Sequence, residues 1–356
     1  MPRLVVVEAH GTPAFVDALR AAWDAGDAVL PLDPRLPPAA RDVVLADARP
    51  DEPTEPGDAL VVATSGTTGA PRTAVLTHDA VEASARATSK RLAVDPGTDR
   101  WLACLPLAHV GGLGVVTRAL LTGTPLTVAP DAHTATLTRA LDEGCTLVSL
   151  VPAVLGRVEA HRFRTIVLGG SAMPPDRPAN SVATYGMTET GSGVVYDGVP
   201  LDGVEVRTSD QGEIHLRAPM LLRGYRDGHD PRDADGWLPT GDAGTWDPAA
   251  NRLTVTGRIG DLIVTGGEKV WPVVVEEALV AHPGVAEALV FGRDDPTWGR
   301  RVVARIVAAD GQDPPTLDTL RGWVKETLPP WAAPRELELA TELPRTALGK
   351  LRRTQT

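Results

Sequence analysis

The sequence predicts an α/β protein, in which a large N-terminal αβ domain with parallel sheets and an antiparallel β subdomain precedes a small α+β C-terminal lid domain. The first two-thirds of the chain alternates short β-rich runs with helical patterns, which is typical of mostly parallel sheets covered on both faces. From about Val194, short strands separated by Gly and Asp turns indicate antiparallel hairpins. About the last hundred residues return to a compact αβ pattern.

The strands of the first part are predicted from short runs rich in Val, Leu and Ile. In chain order these runs are LVVVE, AVLPLD, ALVVATSG, RWLACLPL, PLTVA, TLVSLV and TIVLGG. The helical patterns between them are TPAFVDALRAAWDAG, PPAARDVVLADA, HDAVEASARATSKRL and residues 134–143. The polar, Pro-rich stretch DARPDEPTEPGDA predicts a surface loop before the ALVVATSG strand.

The rest of the chain predicts hairpins and then a separate small domain. The hairpins are expected in VEVRTSDQGEIHLRAP and GWLPTGDAGTWDPAANRLTVTGR. Strands DLIVTGG, VAEALVFG and RVVARIVA then accompany helices PVVVEEALVAH and TLDTLRGWVKETL. We place the domain boundary after residue 259, which gives an abbreviated N-terminal domain, 1–259, and a mobile C-terminal lid, 260–356.

Composition restricts the class of protein. A chain of 356 residues, 43% hydrophobic and 23% charged, suits a globular protein with one large domain and one smaller domain. No run approaches the roughly 18 uninterrupted apolar residues of a membrane span, and Glu8 makes the N-terminus a poor signal peptide, so a cytoplasmic protein is expected. The net charge of −11 argues against general nucleic-acid binding. Cys104 and Cys145 stand in apolar contexts and are predicted to be small buried hydrophobes.

The stretch VVATSGTTGAPR, residues 61–72, raises the possibility of a phosphate site. Its glycines allow the backbone close approach, its four hydroxyl side chains donate hydrogen bonds, and Arg72 supplies positive charge. It matches neither G-x-x-x-x-G-K-[ST] nor G-x-G-x-x-G. A flexible surface turn is the alternative when the stretch is taken alone.

Further motifs resolve that alternative through a family resemblance. They are TYGMTETG, PTGDAG, TGRIGDLIVTGGEKVWP and LPRTALGK. In order and spacing, the set resembles the acyl-adenylate-forming superfamily, which includes acyl-CoA synthetases, peptide-synthetase adenylation domains and luciferases. The likeness runs from about residue 26 to residue 350. The short N-terminal part and LPLAHVGGLGVVTRALLTGTPL resemble the short, actinobacterial type of o-succinylbenzoate:CoA ligase of menaquinone biosynthesis.

The resemblance implies ATP and Mg²⁺ as cofactors and assigns an ATP site. The residues implied for the β- and γ-phosphates are Thr64, Ser65, Gly66, Thr67, Thr68, Gly69 and Arg72. Those implied near the adenine are Gly169, Gly170, Ser171, Tyr185 and Gly186. Thr188 would reach the α-phosphate, and Glu189 would help to hold Mg²⁺, a hard cation that keeps several waters. Asp242 would accept hydrogen bonds from the ribose hydroxyls and Arg258 would support them, although an Asp in a turn explains Asp242 equally when the family is ignored.

The resemblance also assigns catalysis, the acyl pocket, the acceptor and the hinge. Lys350 would be catalytic, with Thr188 and Glu189, because a mobile ammonium between the two reacting anions opposes their repulsion. The residues implied for the acyl pocket are His109, Gly111 and Gly112, and those for coenzyme A are Gly267, Lys269 and Trp271. A structural histidine and a core tryptophan are the alternatives for His109 and Trp271. The hinge would be Gly260.

Two positions depart from the family pattern. Arg72 stands where the family usually has lysine, and a guanidinium also holds phosphate. Gly260 stands where the family usually has Asp or Lys, and glycine can absorb large backbone changes without favouring either domain orientation.

The activity implied is ATP-dependent conversion of a carboxylic acid to an acyl-AMP, followed by transfer to coenzyme A. The expected partners are therefore a small-molecule carboxylate, ATP and coenzyme A, with no nucleic acid and no membrane. The acid is expected to be o-succinylbenzoate, but no residue identifies the cation that meets its second carboxylate. A stand-alone adenylase that loads a carrier protein and an inactive nucleotide-binding regulator are the alternatives. The sequence does not indicate the oligomeric state, and both a monomer and a homodimer agree with it.

Overall fold

The computed structural model describes residues 1–64, 71–170, 173, 176–309, 311 and 313–344. The chain divides into two units. The first comprises Met1–Arg207, His215–Pro239 and Asp247–Leu253, and the second comprises Thr208–Ile214, Thr240–Trp246 and Thr254–Thr356. The second unit thus includes segments that precede residue 260. The sequence analysis places the domain boundary after residue 259 because the lid is expected to turn at Gly260, and this boundary stays a prediction.

The helices of the described residues are α1 (Pro13–Asp24), α2 (Pro38–Ala48), α3 (His78–Arg91), α4 (Val110–Thr122), α5 (Thr134–Asp142), α6 (Pro272–Val280) and α7 (Leu317–Thr327). Six of these seven helices follow the predicted patterns, whereas α4 is not predicted from the sequence. Short 3₁₀ turns occur at Pro152–Arg157, Ala160–Arg162, Thr188–Thr190, Ile259–Asp261 and Pro330–Ala332. In the described part of the chain, no helix combines the length and the hydropathy that a membrane crossing requires.

The strands are numbered in chain order. They are β1 (Leu4–Glu8), β2 (Ala28–Leu32), β3 (Asp58–Ala63), β4 (Thr73–Thr77), β5 (Trp101–Ala103), β6 (Leu126–Val128), β7 (Leu147–Leu150), β8 (Thr165–Leu168), β9 (Ser181–Gly186), β10 (Gly193–Tyr196), β11 (Val199–Pro200), β12 (Glu205–Thr208), β13 (Glu213–Arg217), β14 (Gly224–Tyr225), β15 (Leu238–Asp247), β16 (Arg252–Arg258), β17 (Ile263–Thr265), β18 (Glu268–Val270), β19 (Val285–Asp295), β20 (Gly299–Ala308) and β21 (Glu336–Leu339).

Several helices begin where the sequence supplies a proline or a hydroxyl cap. Pro13, Pro38 and Pro272 stand at the start of α1, α2 and α6, where a missing N–H costs nothing. The Thr77 hydroxyl accepts a hydrogen bond from the Ala80 N–H at 3.2 Å at the start of α3. The Thr316 hydroxyl caps α7 in the same way.

The first sheet of the N-terminal unit has the order β1-β2-β3-β4-β14. Strands β1, β2 and β3 are parallel, whereas β4 pairs antiparallel with both β3 and β14. The sequence analysis does not predict β4 or this antiparallel edge. Consequently the glycine-rich stretch joins two neighbouring antiparallel strands, whereas a P-loop leads from a strand to a helix.

The second sheet of this unit has the order β11-β10-β9-β8-β7-β5-β6. The pairs from β6 through β9 are all parallel, which confirms the expected parallel sheet, and β10 pairs antiparallel with β9 and β11. Cys104 and Cys145 are free and lie in its hydrophobic core, as predicted.

The hairpin region forms a four-stranded sheet with the order β12-β13-β15-β16. A tight turn leads from β12 to β13, because the Gly212 N–H donates to the Ser209 carbonyl at 2.8 Å and the Ser209 N–H donates to the Glu213 carbonyl at 2.9 Å. Gly212 has φ +82°, which favours glycine.

The C-terminal unit contains a sheet with the order β18-β17-β20-β19, and β21 pairs parallel with β20. Strands β19 and β20 form its long antiparallel pair. Its core includes Ile263, Leu279, Val290 and Leu320, which are fully buried. This α+β arrangement is the one that the sequence predicts.

Candidate active site

The carboxyl edge of the second sheet gathers many predicted site residues. Strands β5, β7, β8 and β9 are parallel, so their carboxyl ends meet at one edge, where α/β proteins commonly bind ligands. His109 follows β5, Gly169 and Gly170 follow β8, and Tyr185 and Gly186 close β9. Ser171 lies outside the described residues.

Two of these glycines permit close contact between chain segments. A Cβ on Gly186 would stand 2.2 Å from the Ser192 carbonyl oxygen, and a Cβ on Gly169 would stand 2.8 Å from the Thr184 Oγ1. A larger residue at position 186 would therefore push β9 away from the Ser192 backbone, and one at position 169 would displace the Thr184 side chain. These close contacts explain why glycine stands at both positions, and the proximity of the two glycines to adenine stays a prediction.

The ends of β3 and β4 place Thr64 beside Arg72. The Thr64 N–H donates to the Arg72 carbonyl at 2.7 Å, and the Arg72 N–H donates to the Thr64 Oγ1 at 3.3 Å. The predicted phosphate ligands Ser65, Gly66, Thr67, Thr68 and Gly69 lie outside the described residues. The predicted basic residue of the loop is thus fixed at the loop's base.

The Arg72 side chain has two contacts. Its guanidinium carbon lies 3.8 Å from the centre of the Tyr225 ring, and its Nη2 lies 2.7 Å from the Asp227 Oδ2. Both partners of this ion pair are partly exposed, and such pairs typically contribute only about 0–1 kcal/mol. A polyanion can therefore displace Asp227. A hydrogen bond from the His229 N–H, and the proximity of Arg72, hold the pKa of Asp227 below its usual range.

Glu189 lies in the 3₁₀ turn Thr188–Thr190, together with the predicted α-phosphate ligand Thr188. Its carbonyl accepts a hydrogen bond from the Leu222 N–H at 2.8 Å, and its Oε1 accepts one from the Tyr225 hydroxyl at 2.9 Å. Burial and the neighbouring Glu189 charge raise the pKa of Tyr225 far above its usual value, so this hydroxyl stays protonated. The sequence analysis does not single out Tyr225, because the dipeptide GY in LLRGYR has no distinctive spacing.

Helix α4 carries the residues predicted for the acyl pocket. His109 is its N-cap, and the Nε2 of His109 lies 3.5 Å from the Oδ2 of the buried Asp33. Burial acts to raise the pKa of Asp33, but hydrogen bonding from Arg35 and the proximity of His109 outweigh it, so that this pKa lies far below its usual range.

A Cβ on Gly112 would meet the Leu105 carbonyl oxygen at 2.4 Å, whereas one on Gly111 would only touch a Leu105 methyl group at 3.6 Å. Gly112 is therefore required by backbone packing, and its role in making room for the acyl group stays a prediction.

Arg118, also on α4, is a candidate site residue that the sequence analysis does not identify. It is only 2% exposed, and burial lowers its pKa. Its Nη2 donates to the Ser192 Oγ at 3.1 Å, and the guanidinium carbon lies 4.8 Å from the Trp101 ring centre. Its Nε and Nη1 are buried without a hydrogen-bond partner among the described residues, where no carboxylate pairs with it either.

Leaving such donors unpaired in a protein interior is costly, so these two N–H groups are candidates for binding an anionic group. The signal in the sequence is a single arginine inside the otherwise apolar helix VGGLGVVTRALLT.

In the C-terminal unit, Asp242 and Arg258 form the pair predicted for the ribose. The Arg258 Nε lies 2.9 Å from the Asp242 Oδ1, and its Nη1 donates to the Thr240 carbonyl at 3.2 Å. Gly241, directly before Asp242, has φ +70°, and its N–H donates to the Glu213 Oε1 at 2.9 Å. Asp242 therefore lies within strand β15 and not in a turn, contrary to the alternative that the sequence suggests, and it is buried beside Arg258. Its role toward the ribose stays a prediction.

The residues predicted for coenzyme A follow one another along the second unit. Gly267, with φ +87°, and the exposed Lys269 belong to the β17–β18 hairpin. Trp271 is the N-cap of α6, and a Cβ on Gly257 would stand 3.5 Å from its ring, so a packing contact is present. Lys350 lies outside the described residues.

The comparisons identify the class of protein that this fold and site represent. The family described as AMP-binding enzyme matches residues 49–226, and the AMP-binding enzyme C-terminal domain matches residues 274–350. The chain belongs to the AMP-binding enzyme family, which confirms the predicted resemblance.

Among individual proteins, it is 40% identical over 340 residues to "Probable 2-succinylbenzoate--CoA ligase" of Mycobacterium tuberculosis, across 89% of this chain and 88% of that protein.

Two solved structures of Bacillus subtilis o-succinylbenzoate CoA synthetase (MenE) are similar along nearly the whole chain. One is a complex with the acyl-adenylate intermediate OSB-AMP, at a TM-score of 0.87 and 26% identity, covering 99% of this chain and 87% of that one. The other is a complex with ATP and magnesium ion, at a TM-score of 0.87 and 26% identity, covering 99% and 88%. These matches confirm the predicted α/β fold.

Proposed function

We propose that this chain is a 2-succinylbenzoate–CoA ligase, which uses ATP and Mg²⁺ to form an acyl-AMP and then transfers the acyl group to coenzyme A. The names of its relatives and the OSB-AMP complex of the similar Bacillus enzyme support the reaction. The observation that carries the choice of acid is Arg118, because 2-succinylbenzoate has two carboxylates and only one of them can react. The second carboxylate needs a cation, and Arg118 offers buried N–H donors that have no partner among the described residues.

The reaction has two balanced steps. In adenylation, a carboxylate oxygen bonds to the α-phosphorus of ATP, and the bond from that phosphorus to the bridging oxygen breaks as pyrophosphate leaves. In thioesterification, the coenzyme A sulfur, having lost its proton, bonds to the acyl carbon, and AMP leaves with the electron pair of the C–O bond. Arg72 would neutralise the departing phosphates, and Lys350 would neutralise charge at the α-phosphate.

The described residues around Glu189 fit a bound Mg²⁺. Mg²⁺ usually takes one or two protein carboxylates together with substrate phosphates and waters, so it needs no dedicated protein cage. Glu189 has its Oε1 engaged by Tyr225, and the described residues place no hydrogen bond on its Oε2. When bound, the ion would lower the negative charge that the incoming carboxylate meets.

An acid panel tests the proposed reaction. With ATP and Mg²⁺, 2-succinylbenzoate should give the fastest pyrophosphate exchange, and coenzyme A should then yield the thioester, as detected by mass spectrometry. Benzoate, succinate and medium-chain fatty acids serve as comparison acids. Fast exchange with 2-succinylbenzoate but transfer only to a carrier protein would instead support the stand-alone adenylase.

The hinge proposal is tested at Gly260, where a Cβ would meet nothing within 4 Å. Gly260→Pro fixes φ near −65°, so we expect it to leave adenylation near the wild-type rate and to suppress thioester formation. Gly260→Asp is the matched control and should keep both steps within about tenfold of wild type, a barrier change of roughly 1.4 kcal/mol. Single-turnover assays of each half-reaction give the answer. If the proline variant performs both steps at wild-type rates, the lid turns elsewhere.

A further inference from the structure

The segment 222–227, here called the Tyr225 segment, is bound to its surroundings along its length. Its Arg223 Nε donates to the buried Asp58 at 2.9 Å, and its Arg226 Nε donates to the Ala48 carbonyl at the end of α2 at 2.9 Å. Strand β14 within it pairs with β4, in a register that sets Tyr225 opposite Ala74. The backbone of Tyr225 is therefore fixed beside the strand that begins directly after Arg72.

From this position the Tyr225 side chain contacts two predicted site residues at once. Its hydroxyl donates to the Glu189 Oε1 at 2.9 Å, and the face of its ring lies 3.8 Å from the Arg72 guanidinium carbon. We propose that Tyr225 is a positioning residue that orients the Glu189 carboxylate and the Arg72 guanidinium while it keeps them from pairing with each other. The inference rests on the proposed function, because it concerns how the Mg²⁺–nucleotide complex is received.

The separation matters because of the charges involved. A direct ion pair between Arg72 and Glu189 would occupy the cation meant for phosphate and the anion meant for metal. The neutral phenol hydroxyl satisfies one carboxylate oxygen without cancelling the negative charge, so Oε2 keeps its ability to bind a cation. The aromatic face supports Arg72 by a cation–π contact that leaves the edge of the guanidinium free to donate hydrogen bonds. Arg72 then needs only to exchange Asp227 for phosphate.

Two substitutions separate the hydroxyl from the ring. Tyr225→Phe removes the hydroxyl and keeps the ring, and Tyr225→Leu removes both. The probe is α,β-methylene ATP, which cannot transfer its adenylyl group because a carbon replaces the oxygen between the α- and β-phosphorus atoms. Its binding is measured by calorimetry at a series of Mg²⁺ concentrations. We expect Tyr225→Phe to raise the half-saturating Mg²⁺ concentration about tenfold, since hydrogen-bond partners of metal ligands typically contribute 10- to 100-fold to metal affinity. Its affinity for the metal-free nucleotide should stay within about twofold of wild type, whereas Tyr225→Leu should weaken both.

Two controls make the result specific. Tyr196→Phe removes another buried hydroxyl, which lies 3.3 Å from the Thr88 Oγ1, and it should behave as wild type. In a Glu189→Gln background, Tyr225→Phe should have no further effect on the Mg²⁺ titration, because the two residues would act on one ligand. An unchanged Mg²⁺ titration in Tyr225→Phe, or equal losses with and without metal, would overturn the inference. The titration needs no acid, so a failure of the proposed acid specificity would appear only in the acid panel.

Discussion

Lys350→Ala is expected to slow acyl-AMP formation by about 100- to 1,000-fold, which corresponds to the roughly 3–4 kcal/mol lost when one stabilising donor is removed from a transition state. The physical reason is the repulsion between the substrate carboxylate and the α-phosphate, which a mobile ammonium offsets. Thioester formation from supplied acyl-AMP should be largely retained, because it would use the other lid orientation. Single-turnover measurement of each half-reaction separates the two effects.

The control for Lys350 is Lys325→Ala. Lys325 is exposed near the end of α7 and is placed outside the predicted site, so this variant should keep both rates. Equal losses in both half-reactions of Lys350→Ala would contradict the model of two lid orientations for this chain.

Arg118→Met is expected to lower kcat/KM for 2-succinylbenzoate by about 150- to 5,000-fold. Removal of one member of a buried charge pair typically costs about 3–5 kcal/mol, since the other charge remains buried and unpaired. Without substrate, however, Arg118 is a buried cation, two of whose nitrogens find no partner in the part of the chain that the structure describes. Its replacement by an apolar side chain of similar length should therefore leave the free energy of unfolding unchanged or raise it. KM for ATP should change little. A large loss of stability would mean that Arg118 is structural.

Arg164→Met provides the contrasting control in the same unit. Arg164 makes two hydrogen bonds to the buried Asp99, at 2.8 and 2.7 Å. Its replacement should therefore destabilise the protein by leaving a buried carboxylate without its cation. Preference among acids should be retained by the remaining folded enzyme. Arg118→Met should therefore lose acid specificity and keep stability, whereas Arg164→Met should lose stability and keep acid specificity.

The predictability of the fold follows from local patterning. Strand runs such as LVVVE and helical segments such as PVVVEEALVAH indicate their structures by themselves, and all appear near the expected positions. Strand β4 was not predicted, because residues 73–77 follow the glycine-rich loop directly and lead without a break into α3. Its antiparallel pairing with β3 depends on contacts between strands, which no short window of sequence contains.

Site residues within a recognisable motif can be predicted from the sequence, whereas residues that only the fold brings to the site cannot. Glu189 and Arg72 belong to recognisable stretches, whereas Tyr225 acquires its place only because β14 pairs with β4. Arg118 stands within a helix whose burial is known only from the fold. Its donors without a partner among the described residues suggest an anion site only when the burial of this helix is known.

A comparison of three acids tests the central claim most directly. The acids are 2-succinylbenzoate and its two monocarboxylate analogues, 3-benzoylpropionate and 2-butyrylbenzoate, each measured for thioester formation with wild type and with Arg118→Met. We expect wild type to prefer 2-succinylbenzoate by about 100-fold or more over the analogue that keeps the reacting carboxylate. Arg118→Met should reduce this preference to within a few fold. If Arg118→Met keeps the full preference, or if wild type uses 2-succinylbenzoate and that analogue equally, Arg118 does not bind the second carboxylate.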